Sequence, residues 1–346
     1  INFLRSIYTD YLWYDQLGFA SVMIKVIMTR VVLFVIGGLV LGTALGISLF
    51  FANRISQGPE EIALPKATRD VLRKLIRWGS VAVVVVLSVV FGSIAAGQWE
   101  IFLRFGSSVP FGVVDPVYGM DVSFYVFSLP VYEFIQGWLL GACVVVLLAT
   151  LVLYFANYNF RGAGFLIASG VKAQVSIIVG LFFLTLAFGH WLDRWALVLS
   201  DHGAVFGAAY ADLHARQPAL LILTIIAFAS SVLILINAYM QGIRLLVGGV
   251  VLWIVTLLLF GSGWPNAVQR ITVSPNEFVR ESQYIERNIA LTRSGFGLTD
   301  KDLTVAQCPV EPSVTADLIN ANIQTVDNIR LWDTGPLSSV YRQIQL

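Results

Sequence analysis

His190, Asp193 and Arg194 are the residues of this sequence best suited to chemistry, because they directly follow a long apolar run. Spacings of three and four residues place Asp193 and Arg194 on the same helical face as His190, where each can contact the imidazole. Ionisable groups inside a membrane are candidates for ion or proton handling. Whether this cluster is such a site depends on how deep it lies in the bilayer.

The depth of the cluster follows from the run that precedes it. The chain carries no charge between Val175 and Gly189, which is about 22 Å of helix at 1.5 Å per residue. The hydrocarbon core is about 30 Å thick, so His190 is expected in its outer part and Asp193 and Arg194 near its boundary. The pattern favours a helix exit, with a polar site facing the bundle interior as the alternative.

A metal site on the same side of the membrane is a third interpretation. Its ligands would be His190, His202, His214, Asp193 and Asp212. Their spacings match no recognised ligand pattern, and we predict neither a metal nor another cofactor.

The composition places these residues in a membrane protein. Hydrophobic residues make up 57% of the 346 residues and charged residues 12%, about half the charged share of a soluble domain. A net charge of +1 gives no indication of a nucleic-acid partner. The chain is therefore predicted to be an all-α membrane protein.

Six apolar stretches meet or approach the length of about 20 residues that a transmembrane helix needs. They predict a six-helix transmembrane bundle with spans at Val31–Phe51, Gly79–Ala96, Phe134–Phe155, Ser176–Leu199, Ala219–Ala238 and Leu245–Gly263.

Lysine and arginine are concentrated in alternate loops of this bundle. The loops after the first, third and fifth spans are basic, whereas Gly97–Glu133 and Ser200–Pro218 carry only Arg104 and Arg216. By the positive-inside rule the basic loops are cytoplasmic, and both ends of the chain are extracytoplasmic.

The predicted organisation has three parts. They are an extracytoplasmic loop (1–30), a six-span domain (31–263) and the start of an extracytoplasmic domain (264–346). The six-span domain includes a cytoplasmic basic loop (53–78) and an extracytoplasmic segment (97–133).

The first basic loop contains an amphipathic stretch after Pro65. Its apolar residues alternate at helical spacing with Arg69, Arg73, Lys74 and Arg77. We expect a short helix on the cytoplasmic leaflet that leads into the second span. These four residues are candidate contacts for anionic lipids, although an unspecific positive-inside anchor is the simpler interpretation.

The segment Asp115–Pro130 is too apolar for a free loop, and its apolar run Phe124–Leu129 is too short to span a bilayer. We expect a re-entrant or surface-lying segment that packs on the outer side of the bundle. Asp115 and Asp121 are its candidate functional residues, because a carboxylate there needs water or partners.

The composition of the chain changes after the last span, and the sequence predicts no further span. Ser274, Pro275 and Glu277 form the pattern of a capping box with proline at the first helical position. This pattern predicts a new helix that stops near Gly295 and opens the extracytoplasmic domain.

Six motifs in order carry a resemblance to a known family. They are "YTDYLWYDQLGF" (Tyr8–Phe19), Asp115–Pro130, "WLDRW" (Trp191–Trp195), "YADLHARQPAL" (Tyr210–Leu220), "PNEFVRESQYIERNIALTR" (Pro275–Arg293) and "NIRLWDTGPL" (Asn328–Leu337). Over essentially its whole length the chain resembles uncharacterised protein family 0182, a family of large bacterial membrane proteins.

The resemblance implies a place in the bacterial cell (inner) membrane, with seven N-terminal spans and a long extracytoplasmic C-terminal region. On this basis the chain is expected to lack the first span and most of that region. The resemblance supplies no catalytic residue and no biochemical activity.

Three functions remain open at this point. A scaffold or accessory subunit that presents an extracytoplasmic domain to a membrane complex or partner is favoured, because the motifs lie in outer loops. A transporter or lipid-handling protein with a path through the bundle is the main alternative. An enzyme would depend on the His190 cluster and the outer aspartates alone, and the sequence contains no recognised catalytic motif. The expected partners are bilayer lipids and other membrane-protein subunits.

The orientation is tested by labelling single cysteines in intact cells. In a chain without Cys143 and Cys308, Gln57→Cys is expected to resist a membrane-impermeant maleimide, because its loop is cytoplasmic. Ser108→Cys, in the loop after the second span, should react, and disrupting the cells should make both positions reactive. Labelling of Gln57→Cys from outside would reverse the orientation.

Overall fold

A computed structural model describes residues 2–56, 66–161, 168–201, 203, 205–240, 242–299, 301, 303–304, 315–329 and 334–344. Within these ranges the chain is helical and forms no strand, and one isolated antiparallel bridge joins Val114 and Asp121. The predicted all-α class is confirmed.

Short π-helical turns precede or follow several of the α-helices in the described residues. In chain order they are α1 (Asn2–Gln16), α2 (Ala20–Ile55), α3 (Lys66–Gly97), α4 (Trp99–Gly106), α5 (Leu129–Arg161), α6 (Ser169–Ala196), α7 (Gln217–Met240), α8 (Arg244–Thr256), α9 (Trp264–Val268), α10 (Glu277–Gly295), α11 (Ala316–Ala321), α12 (Ile323–Asp327) and α13 (Thr334–Ile344). The π-helical turns are Phe124–Ser128, Asp212–Arg216, Leu257–Gly263 and Gln269–Val273.

Six helical segments of the described chain are long and apolar enough to cross a membrane, as the sequence predicted. They are Ala20–Ile55, Asp70–Gly97, Phe124–Tyr158, Ser169–Leu199, Asp212–Met240 and Arg244–Gly295. Each is longer than its predicted span. Composition marks only the part of a helix that hydrocarbon can surround, whereas the backbone hydrogen bonds continue past it.

Two segments differ from their sequence-based interpretation. The apolar run Phe124–Leu129, which suggested a re-entrant element, forms the first turns of the third span. The expected capping box is wrong, because the hydroxyl of Ser274 donates to the carbonyl oxygen of Gln269 (3.0 Å) and caps no amide. Helical backbone already arrives from Val273, so the amides of the next turn have carbonyl partners and need no cap.

The long helices pack as a row in which each lies against the next. The order of neighbours is α3, α2, α5, α6, α7 and α8. The core between α2 and α5 is formed by Leu41, Leu45 and Leu49 with Ala142 and Val146. Many apolar side chains on the faces of the row are exposed, as expected where lipid is the solvent.

The row has two ends, for which we use fixed names. The basic end carries Arg54, Arg73, Lys74, Lys172 and Arg244 among the described residues. The loop end lies opposite and carries the connections 98–123 and 197–211, together with the helical stretch 264–276. Ile1–Leu291 form one compact unit, and a second unit begins at Thr292 and contains α11 to α13.

Small residues bring α2 and α3 close together. A Cβ atom on Gly92 would lie 2.7 Å from the carbonyl oxygen of Phe34, and one on Gly37 would lie 2.9 Å from the Cβ of Ala95. Lipid tails are as apolar as the helix surfaces, so helix association depends on such close van der Waals contact rather than on a hydrophobic force.

Two alanine substitutions in α3 test this packing. Gly92→Ala should lower the melting temperature of the detergent-solubilised protein, because overpacking costs about 1–3 kcal/mol and the obstructing atom is backbone. Gly79→Ala is the control, since nothing lies within 4 Å of the added methyl. That change should preserve or raise the melting temperature, because alanine favours a helix over glycine by about 1 kcal/mol. Equal effects would contradict the close approach of α2 and α3.

Candidate functional site

The three residues singled out in the sequence lie at the loop end of α6, but only two of them meet. The Nδ1 atom of His190 is 3.6 Å from Oδ2 of Asp193, whose side chain is 59% exposed. The imidazole stacks on the ring of Trp253 in α8, with 6.2 Å between centroids. Its Nε2 atom is buried and has no hydrogen-bond partner among the described residues. The carboxylate therefore lies on the surface of the bundle, whereas the imidazole packs against α8.

Arg194 packs on Trp191 rather than on the other two members of the cluster. Its guanidinium carbon lies 4.5 Å from the ring centroid of Trp191. Successive residues on a helix point about 100° apart, so Arg194 and Asp193 face different directions. The expected contact between Arg194 and the imidazole does not form.

Asp115 organises the loop between α4 and the third span. Its buried carboxylate accepts hydrogen bonds from the amides of Val117, Tyr118 and Met120 and from the hydroxyl of Tyr125, at 2.7–3.1 Å. A carboxylate offers about four lone-pair positions. The loop itself uses them all, so Asp115 has a structural role here.

Asp121 binds backbone amides of the same loop on its exposed side. Its carboxylate accepts hydrogen bonds from the amides of Phe111 (3.1 Å), Gly112 (2.9 Å) and Ser123 (2.8 Å). The hydrogen bond from the Ser123 side chain, and then those from the three amides, lower the pKa of Asp121 to about 2. Because the folded pKa is depressed, the stabilisation is present at neutral pH and is lost as the pH falls from about 4, the ordinary aspartate value, towards the folded pKa.

Tyr118 connects this loop to the end of α6. Its hydroxyl donates to the carbonyl oxygen of Arg194 (2.5 Å), and its ring lies 4.9 Å from that of Trp195. Burial raises the pKa of Tyr118 to about 12, so the hydroxyl remains a donor at physiological pH. Asp115, Asp121 and the end of α6 therefore belong to one hydrogen-bonded region.

A second group of charges lies at the loop end of α7 and includes Asp212, which the sequence suggested only as a ligand of a possible metal site. Asp212 is 1% exposed and accepts hydrogen bonds from Nη1 of Arg216 (2.8 Å) and from the amide of Ala209 (3.1 Å). The signal available in the sequence was an Asp followed four residues later by an Arg in a helix.

Glu281 of α10 meets the same connection. It is 1% exposed, and its Oε2 atom accepts a hydrogen bond from the amide of Tyr210 (3.2 Å). The side chain of Asn288 donates to the carbonyl oxygen of Phe206 (2.6 Å), two turns further along α10. These contacts attach α10 to the residues that precede α7.

The candidate lipid contacts lie at the basic end. Arg73, Lys74 and Arg77 are exposed in the first turns of α3, which are continuous with the second span. The side chain of Arg69 lies outside the described residues.

Polar side chains also pair between the helices towards the basic end. The hydroxyls of Ser48 and Thr150 are 2.8 Å apart, and the amide of Gln174 donates to Ser48 (2.9 Å). The amide of Asn237 donates to the hydroxyl of Ser176 (2.9 Å). Single hydroxyl residues are common in apolar helices because they bond their own backbone, so nothing in the sequence marked this set.

The described part of the chain contains no group of three or more His, Cys, Asp or Glu residues that could hold a metal ion. His202, one of the hypothetical ligands, lies outside it. The buried carboxylates of Asp115, Asp212 and Glu281 accept hydrogen bonds from the chain and join neighbouring elements, whereas the Oε1 atom of Glu281 is buried without a partner among the described residues.

Comparison with known proteins identifies a family for this chain but finds no matching solved structure. A family model described as "Uncharacterised protein family (UPF0182)" matches residues 1–346. A UPF0182 protein from Thermobifida fusca is 31% identical over 100% of this chain and 34% of its own length. One from Cupriavidus necator is 34% identical over 100% of this chain and 38% of its own length. The chain thus spans little more than a third of these relatives, and no solved structure matches it.

Two ion pairs with the same spacing test the role of burial at the loop end. Arg216→Gln leaves the buried Asp212 carboxylate without its cation and should destabilise by about 3 kcal/mol, the low end for a buried pair, because a quarter of the Arg216 side chain is exposed. Arg104→Gln breaks the exposed Glu100–Arg104 pair and should cost about 0.5 kcal/mol or less.

Double-mutant cycles of thermal stability provide the comparison. In the buried pair, adding Asp212→Asn to Arg216→Gln should recover part of the lost stability. In the exposed pair, adding Glu100→Gln to Arg104→Gln should change the stability little. Equal coupling energies in the two pairs would contradict a structural role for the buried pair.

Proposed function

Because this chain belongs to the uncharacterised protein family UPF0182, whose matched relatives continue well beyond the aligned region, we propose that it is the membrane-embedded part of a scaffold or accessory subunit. In this proposal the six-span bundle presents an extracytoplasmic domain to a membrane complex or partner. In this proposal the loop end faces outward, because the loops after the first, third and fifth spans, which lie at the basic end, are the ones rich in lysine and arginine.

The observation that carries the proposal is the helical course from Arg244 to Gly295, which leaves the bundle without a break. At the loop end this helix is attached to the connection before α7 through Glu281 and Asn288. These two contacts, two turns apart, fix the course on which α10 leaves the bundle. A scaffold needs that property, whereas a flexible tether would not supply it.

The use of charge at the loop end supports the same function. Asp115 and Asp121 accept hydrogen bonds from loop amides, and Asp212 accepts hydrogen bonds from Arg216 and a backbone amide. Catalytic and transport sites need groups that remain available to a ligand. Groups that are satisfied internally make the loop end rigid.

A transporter or lipid-handling protein is the second candidate, and one observation favours it. Ser230 Oγ and Asn237 Oδ1 are buried between helices and have no hydrogen-bond partner among the described residues. Unpaired polar atoms in a bundle can line a path for a polar solute. Their neighbours Ser176 and Ser231 are bonded across the α6–α7 contact, which favours a closed interior.

Recovery of a partner with the full-length protein tests the scaffold. The protein is extracted from its own membranes in polymer nanodiscs as wild type, Glu281→Ala and Glu286→Ala. Glu281→Ala removes the acceptor for the Tyr210 amide and should greatly reduce the recovered partner, because α10 loses an attachment. Glu286→Ala changes an exposed glutamate of the same helix and should retain it.

The melting temperature of each preparation separates loss of a partner from unfolding. Undiminished recovery with Glu281→Ala would contradict control of binding by the position of α10. A wild-type protein without any stoichiometric partner would contradict the scaffold itself.

A further inference from the structure

An apolar groove of about 560 Å³ lies between α6 and α7, in the half of the bundle nearer the loop end. Its lining residues are Leu184, Ala187, Phe188, Trp191, Thr224, Ile225 and Phe228. The volume is within the range of small-ligand sites, about 300–1,000 Å³. Phe188, Ile225 and Phe228 are each more than 40% exposed, so the groove opens to the lipid rather than to the bundle interior.

The groove lies on the loop-end side of a hydrogen bond that joins the two helices. The hydroxyl of Ser231 donates to the carbonyl oxygen of Gly180 (2.7 Å), and this crossing lies nearer the basic end. Beyond it the small residues Ala187 and Thr224 leave space between the helices. The hydroxyl of Thr224 donates to the carbonyl oxygen of Leu220 (2.7 Å), so it leaves no free polar group in the groove.

The cationic side chain of Arg194 lies near the end of this groove that is closer to the loop end. Trp191 forms part of the groove wall, and the guanidinium carbon of Arg194 lies 4.5 Å from its ring centroid. The Nε atom of Arg194 is buried without a hydrogen-bond partner, and no carboxylate pairs with this arginine in the described residues. The neighbouring Asp193 is directed to His190 instead.

We propose that this groove binds an anionic phospholipid, with an acyl chain along α6 and α7 and the phosphate on Arg194. The groove extends from Leu184 to Trp191, about 10 Å of helix, so its long axis suits a hydrocarbon chain. The charge is complementary, because a guanidinium binds phosphate oxygens in a bidentate manner. The tryptophan beside it is typical of the depth at which head groups lie.

The position of the cation is fixed by the rest of the loop end. The hydroxyl of Tyr118 donates to the carbonyl oxygen of Arg194, so the loop that Asp115 organises also holds the backbone of the lipid-binding residue. The site is separate from the basic end, where Arg73, Lys74 and Arg77 are exposed on α3. It is also independent of the scaffold proposal, because it involves neither Glu281 nor α10.

Lipid titration of the full-length protein by native mass spectrometry tests the site. The delipidated protein in detergent is titrated with dioleoyl phosphatidylglycerol, with dioleoyl phosphatidylcholine and with inorganic phosphate. Phosphatidylglycerol should bind more tightly than phosphatidylcholine. Arg194→Gln should weaken phosphatidylglycerol binding about tenfold, which corresponds to one charge-assisted contact. Inorganic phosphate should not compete at equal concentration, because it lacks the chain that fills the groove.

Matched variants separate the two halves of the site. Leu184→Trp places a large ring in the groove and should weaken both lipids, whereas Leu181→Trp changes an exposed leucine of α6 outside the groove and should leave them unchanged. Arg104→Gln removes another arginine of the loop end and should have no effect. Unchanged phosphatidylglycerol affinity in Arg194→Gln or in Leu184→Trp would overturn the proposal, as would displacement of the lipid by inorganic phosphate alone.

Discussion

A backbone amide surrounded by hydrocarbon has no water to bond, and this constraint determines most of the architecture. It makes each crossing a continuous helix, because only a helix satisfies its own amides and carbonyls. It also determines where buried carboxylates occur in the described chain. Asp115 accepts the amides that are freed in a turn at the loop end, and Asp212 and Glu281 accept the amides of Ala209 and Tyr210, just before α7 begins. The loop end is therefore held together by acidic side chains that replace water.

Inside the row the helices are held by close contact and by single hydrogen bonds. Gly92 allows α3 to reach the backbone of α2, and the bond from Ser231 to Gly180 joins α7 to α6. Both devices are effective in lipid, where apolar burial alone brings no gain between helices. Many apolar side chains of the long helices remain exposed, and the groove between α6 and α7 opens among them.

Arg194 connects these two aspects of the molecule. Its carbonyl oxygen receives the hydroxyl of Tyr118, and its guanidinium lies over Trp191 at the end of the apolar groove. The rigid loop end thus provides a fixed course for α10 and, in our proposal, a fixed cation for a lipid phosphate.

The sequence alone determined the all-α class, the six crossings and the family, because apolar runs of about 20 residues and ordered motifs are local features of a chain. It did not determine which residues meet. His190 lies against Trp253, and Glu281 against Tyr210, 71 positions away. Such pairs depend on the order in which the helices pack, which no local pattern encodes.

The continuation of the last span through Ser274 and the direction of Arg194 were likewise decided by the tertiary structure. A capping motif predicts a helix start only when no helix already arrives at it. A charged side chain at a helix exit takes whichever neighbour the packed helices place beside it. For Arg194 that neighbour is a tryptophan at the edge of a groove, and only the packing of α6 against α7 creates the groove.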